Sequence, residues 1–457
     1  MTELFVKQAF LADGWHKNVS LVVEEDGTFS SVRPNTQPSA GAERLGVAVP
    51  PQISLHSHAF QRGMAGLAER RQTPSDTFWT WRNLMYRLAG QVTPEQMEAI
   101  AAFLYMEMLR AGYTQVAEFH YLHHDQKGCV YENPAEMALR IASAAQTSGI
   151  GITVLPTLYM YSGFGGRPLL DEQKRFATTP EQIADIIQAV RQQGERNSLI
   201  SAGLGLHSLR AVDMADVKRL TQDKTLKGPV HIHIAEQVGE VEQCLAATGQ
   251  RPVNYLFEHA QVDARWCLVH ATHLAPSEVT QIAQSQAVAG LCPITEANLG
   301  DGFFPLVPYV AQKGRFGIGS DSNVLISPAE ELRLLEYGLR LSAQSRCVAL
   351  PQNTLGSTGG WLYRQALTGG AQSCGLAQWG LVEGARADLC VLDIGRLPLP
   401  DLEGDAILDA ALFSVPALPV KHVMCAGAWR IRDGRHPQQE QLTQQFHKVV
   451  RTLFSEI

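Results

Sequence analysis

Between residues 51 and 375 one pattern recurs: a short apolar run rich in β-branched residues, then a segment long enough for a helix. The runs begin near Ile53, Thr114, Gly151, Ser201, Pro229, Trp266, Ala287 and Arg315. Strand and helix in alternation build a parallel sheet, and eight such units are the number that closes into a barrel. The expected fold is α/β, a (β/α)8 TIM-like barrel over residues 51–375. The 457-residue chain exceeds the roughly 300 residues a barrel needs. The surplus lies at the two ends, where short apolar runs alternate with turn signals. Val19-Ser20-Leu21-Val22-Val23 precedes Glu25-Asp26-Gly27, and Ala387-Asp388-Leu389-Cys390-Val391-Leu392 has the same texture. Residues 1–50 and 376–457 are therefore expected to meet in one small β-sandwich domain.

A net charge of −7 without any run of Lys or Arg argues against a nucleic-acid partner, because phosphate binding needs clustered basic residues. No stretch approaches the ~20 apolar residues of a membrane span. The eight cysteines are scattered without a CxxC pair and are expected to be buried thiols in a reducing compartment. The beginning, MTELFVKQAFLADGW, lacks the basic and apolar regions of a signal peptide, so a cytoplasmic location is expected. A homodimer is the expected assembly.

Barrel chemistry sits at the C-terminal ends of the strands. The first run ends in His56-Ser57-His58, and i, i+2 spacing on an extended chain turns both imidazoles to one side. The fifth, His231-Ile232-His233-Ile234-Ala235-Glu236, offers a second such pair, either member of which can be a third ligand, with a carboxylate beyond. The sixth ends in His270 and the eighth in Asp321. Zinc suits this set, because histidine and carboxylate ligands with an open position lower the pKa of bound water to about 7. His120, His123 and His124 also cluster, but the adjoining Asp125-Gln126-Lys127-Gly128 reads as a solvated loop rather than a second metal site.

Taken together, these strand-end residues resemble the amidohydrolase superfamily. Neither the third run, Leu155-Pro156-Thr157-Leu158-Tyr159, nor the fourth, Leu204 to Arg210, holds the Lys that bridges two metals in some members. His231-x-His233-x-x-Glu236 instead resembles the mononuclear deaminase branch, which implies one zinc ion held by His56, His58, His233 and Asp321. The same resemblance implies Glu236, His270 and Asp321 as catalytic groups, with Glu236 moving a proton. Within that branch, His56 to Glu69, Phe78-Trp79-Thr80-Trp81-Arg82 and Thr295 to Gly302 are similar to members that deiminate N-formimidoyl-L-glutamate in histidine degradation. Such a substrate carries two carboxylates, for which Arg82 and Arg210 are the candidate clamps, assisted by Gln61, Tyr121 and His207. The alternatives are a guanine- or adenosine-type deaminase of the same branch, or a barrel that keeps the metal without catalysis.

Overall fold

The computed structural model describes residues 1–70 and 78–455. Strands β1 (Thr2–Leu11), β2 (Gly14–Val23), β3 (Phe29–Arg33) and β4 (Glu43–Val49) come first. They are followed by β5 (Gln52–Ser57), β6 (Tyr113–His120), β7 (Gly151–Leu158), β8 (Ile200–Ala202) and β9 (Leu204–Ser208). Then come β10 (Val230–Ile234), β11 (Trp266–His270), β12 (Val288–Leu291) and β13 (Arg315–Ile318), and finally β14 (Leu389–Leu392), β15 (Val420–Cys425) and β16 (Ala428–Ile431).

Eight parallel strands run in the order β5-β6-β7-β9-β10-β11-β12-β13. The first and last meet at a bridge between Ser57 and Asp321. There Asp321 N–H donates to His56 O (3.0 Å) and His58 N–H to Asp321 O (2.9 Å), so the barrel closes at its own candidate site. The run expected from Ser201 is split into β8 and β9 at Gly203. A Cβ on Gly203 would lie 2.5 Å from Pro229 O, so only glycine lets the chain pass that close to its neighbour.

Local signals explain where helices start. The tetrapeptide Thr-Pro-Glu-Gln occurs at 93–96 and again at 179–182, and each copy opens a helix, Pro94–Ala111 and Pro180–Gly194. In both, the threonine side chain accepts the glutamine N–H, the glutamine side chain accepts the threonine N–H, and proline occupies the first turn, where its missing donor is not needed. Gly112, at φ 98°, ends the first of these helices and hands the chain directly to β6.

The end segments form one continuous seven-stranded sheet, β16-β15-β14-β4-β1-β2-β3. Its inward residues from both halves, among them Leu4, Leu21, Phe29, Leu389 and Met424, pack into one apolar core separate from the main one. The small β-sandwich expected from the two ends is built as a single seven-stranded sheet with its own core. Six of the eight cysteines are buried, whereas Cys129 and Cys347 are exposed and correct the expectation of uniformly buried thiols. Both sit in turn-rich connections, which surface loops occupy by default. Among the described residues no helix is long and apolar enough to cross a membrane.

The helix Thr358–Ser373 lies against β13 and β5 through two glycines. A Cβ on Gly369 would stand 1.9 Å from Phe316 O, and one on Gly370 2.8 Å from Ile53 Cβ. Since strand backbone cannot swing aside as a side chain can, Gly369→Ala is expected to destabilise the fold by about 1–3 kcal/mol or more. Thermal melting of the purified variant checks this, and an unchanged Tm would contradict the close approach.

Candidate metal centre and pocket

Parallel register brings the strand ends level: Ile234 of β10 pairs with His270 of β11, and His233 with Val269. At this rim Ala235, His270 and Asp321 all take positive φ (51°, 65° and 44°), conformations that side-chain-bearing residues adopt at a cost. Two of the three, His270 and Asp321, line the pocket at the barrel mouth.

His56, His58, His233 and Asp321, all buried, form a group that could hold a metal ion. His56 Nε2 lies 3.2 Å from His58 Nε2 and 3.0 Å from His233 Nε2, while Asp321 Oδ1 is 3.5 and 3.3 Å from the His56 and His58 nitrogens. Four donors around zinc at ~2.1 Å in tetrahedral geometry would stand about 3.4 Å apart. The tautomers give a second test. His58 Nδ1 donates to Phe119 O and His233 Nδ1 to His207 O, both at 2.9 Å, so in the neutral rings both Nε2 atoms carry lone pairs. His58 and His233 thus each present a lone pair toward His56 Nε2 beside the Asp321 carboxylate, a donor set that fits a metal.

Burial and mutual repulsion keep the imidazoles uncharged: His56 and His233 are held well below the ordinary histidine range and His58 is lowered to about 3. Burial pushes Asp321 up to about 7, a cost that a bound cation would relieve. His270 differs. Burial opposes its charge, yet Glu236, Asp321 and Glu296 outweigh burial and raise it well above its usual value. Its Nε2 stands 3.7 Å from Glu236 Oε1 and 3.8 Å from Asp321 Oδ2, and its Nδ1 is 3.2 Å from Glu296 Oε1.

Above the cluster opens a pocket lined by His58, Gln61, Arg82, Tyr121, His207 and Arg210, with Glu236, His270 and Asp321 at its floor. Gln61 Nε2 donates to Tyr121 OH at 3.0 Å. His207 does two things: its carbonyl orients His233, and its ring lies edge-on to Tyr159 with centroids 4.3 Å apart. Burial works against the Arg210 charge, but Glu240, Tyr159 and Glu236 outweigh it and raise the guanidinium above its ordinary value.

Residues 47–430 match the model of the amidohydrolase family. The chain belongs to that family. This amidohydrolase is 50% identical over 453 residues, 98% of its length and 99% of the other's, to formimidoylglutamate deiminase of Pseudomonas aeruginosa. The 8-oxoguanine deaminase of the same organism is 25% identical over 446 residues, covering 93% of this chain and 92% of that one. The crystal structure of an amidohydrolase from Brucella melitensis superposes with a TM-score of 0.95 at 45% identity, covering 99% and 100% of the two chains.

His56, His58, His233 and Asp321 lie together in the cluster, and Glu236, His270, Gln61, Arg82, Tyr121, His207 and Arg210 line the pocket of this amidohydrolase. His231 does not join the donors, because its Nε2 is bonded to Ser373 O at 2.8 Å. His120, His123 and His124 form no metal-binding group among the described residues, and His123 Nε2 is bonded instead to Thr157 O at 3.1 Å. Glu296 was not singled out, though it fixes His270; it closes a four-residue loop by accepting Cys292 N–H at 2.8 Å. Tyr86, Tyr159 and Phe176 also line the wall. They come from a helix, a strand-end connection and a short turn, positions that no strand-end pattern marks.

Proposed function

We propose that this enzyme hydrolyses N-formimidoyl-L-glutamate to N-formyl-L-glutamate and ammonia, with one zinc ion at His56, His58, His233 and Asp321. The reading rests on 50% identity across 98% of the chain to a formimidoylglutamate deiminase. The pocket agrees chemically, since Arg82 and Arg210 line the space that also holds Glu236 and His270. A substrate with two carboxylates and an amidine needs cationic donors near a proton shuttle.

Zinc at this centre would act as a Lewis acid on water and on the amidine. Arg82 and Arg210 bind the carboxylates and hold the amidine carbon over the cluster, which converts the attack into an intramolecular event. Gln61, Tyr121 and His207 orient the substrate between them. Glu236 Oε1 passes a proton to the imine nitrogen, so full negative charge never builds there. The His270 imidazolium stabilises charge developing at the tetrahedral carbon. Asp321, through the Oδ2 that faces His270, accepts a proton from the attacking water. A second proton delivered to nitrogen makes ammonia the leaving group, and the amidine R–NH–CH=NH plus water becomes the formamide R–NH–CHO plus NH3.

The test is stoichiometric release of ammonia and N-formylglutamate from N-formimidoyl-L-glutamate by zinc-loaded protein, with guanine and S-adenosylhomocysteine in parallel. Ammonia from a heterocycle alone would overturn the substrate and leave the metal centre standing. Arg210→Met and Arg82→Met are each expected to raise KM by about 10–100-fold, the loss of one charge-assisted contact worth about 1.5–3 kcal/mol. Steady-state kinetics on each variant checks this, and an unchanged KM removes that arginine from the binding site.

A further inference from the structure

The turn Asp171–Phe176 follows β7 and packs beside the helix Phe78–Gln91, which brings Arg82, Met85 and Tyr86 to the pocket. Two of its side chains make unusual connections. Arg175 is buried, and its guanidinium donates to three main-chain oxygens: His124 (2.9 Å), Val92 (2.9 Å) and Ala89. Ala89 and Val92 lie at the C-terminal end of that helix, where carbonyls lack intrahelical donors and the helix dipole is negative. The Arg175 carbonyl in turn accepts His123 N–H (2.9 Å) and His124 N–H (3.0 Å). One residue thus ties the helix end to the connection after β6.

Gln173 works nearer the pocket. It is 1% exposed, and its Nε2 donates to Tyr159 OH (2.9 Å) and Tyr86 OH (3.1 Å), while its Oε1 accepts Leu170 N–H (3.0 Å). Tyr86 stands one helical turn from Arg82, whose guanidinium carbon lies 5.3 Å from the centroid of the Tyr86 ring. A chain of contacts therefore runs from the turn through Tyr86 to Arg82.

Packing alone does not call for a buried guanidinium and a buried amide here, because apolar side chains would fill the same space without desolvation cost. The geometry points to Gln173 and Arg175 as positioning residues that fix the Arg82 guanidinium for a substrate carboxylate, which rests on the role given to Arg82 above. They touch no substrate themselves. Their removal loosens the binding end of the pocket and leaves the metal centre and Glu236 in place.

Gln173→Leu and Arg175→Met are compared with the parent enzyme on N-formimidoyl-L-glutamate and on N-methylformamidine, an amidine with no carboxylate. The expected result is a KM raised about tenfold for the dicarboxylate with kcat retained. Metal content and kcat/KM for N-methylformamidine stay at the parent level. Because Gln173 acts through Arg82, the double variant Arg82→Met/Gln173→Leu is expected to be no worse than Arg82→Met alone. An unchanged KM, or equal loss on both amidines, would overturn the positioning role. Hydrogen exchange gives a readout independent of the substrate: Arg175→Met is expected to speed exchange in residues 78–91 and not in the barrel strands. Unaltered exchange there overturns the anchoring whatever the enzyme hydrolyses, whereas failure of the parent enzyme on N-formimidoyl-L-glutamate strikes only the proposed substrate. Should Arg175→Met fail to fold, Gln173→Leu carries the kinetic arm.

Discussion

Replacing Glu236 by Gln is expected to lower kcat by about 10²–10⁴-fold with metal content unchanged, the range lost when a positioned proton-transfer group is removed. The amide keeps the volume and most hydrogen bonds of the carboxylate, so the pocket is preserved while the proton path is cut. Glu236 is well placed for the role: its backbone N–H donates to Glu240 Oε2 at 3.1 Å, which holds the turn after β10, and its Oε1 faces His270 Nε2 at 3.7 Å. Ammonia release in steady state, with metal measured by mass spectrometry on the same sample, decides the matter. Undiminished kcat would transfer the proton shuttle to His270 or Asp321.

His58→Ala is expected to abolish activity and to strip the metal. Removing one of three imidazoles, two of whose nitrogens lie 3.2 and 3.0 Å from that of His56, leaves too few donors for tight binding. Stability should fall as well, because a cation that binds only the folded state contributes about 4 kcal/mol when free metal exceeds its Kd a thousandfold. Chelation of the parent enzyme is expected to lower Tm in the same direction, with little further drop in the variant. A parent melting curve unmoved by chelator would show that the cluster holds no cation under those conditions.

Much of this architecture is readable before any coordinates. Strand starts near Ile53, Gly151, Trp266 and Arg315 are legible because a buried parallel strand is a continuous apolar run bounded by breakers. His56, His58 and His233 are legible because period-two geometry turns alternate side chains the same way, so a metal set leaves a trace along one strand. Glu296 and Gln173 leave no such trace. Each belongs to a connection between strands, and each acts through a contact with a residue distant in sequence, as Gln173 does across 87 residues to Tyr86. The division of the fourth run at Gly203 is hidden for the same reason, since Pro229, which forbids a side chain there, belongs to the next unit.

The seam at Asp321 also bears on how the molecule is made. Ser54 and Ser320, whose hydroxyls meet at 3.0 Å beside it, are 266 residues apart, and the bridging donors and acceptors belong to His56, His58 and Asp321 themselves. On a ribosome the first two imidazoles emerge long before the carboxylate that completes their set. A growing chain can therefore offer a cation only part of its cage until the last strand docks. Tight metal capture would then be a late event in biosynthesis, and the ion would pin together the two barrel strands that synthesis had kept furthest apart.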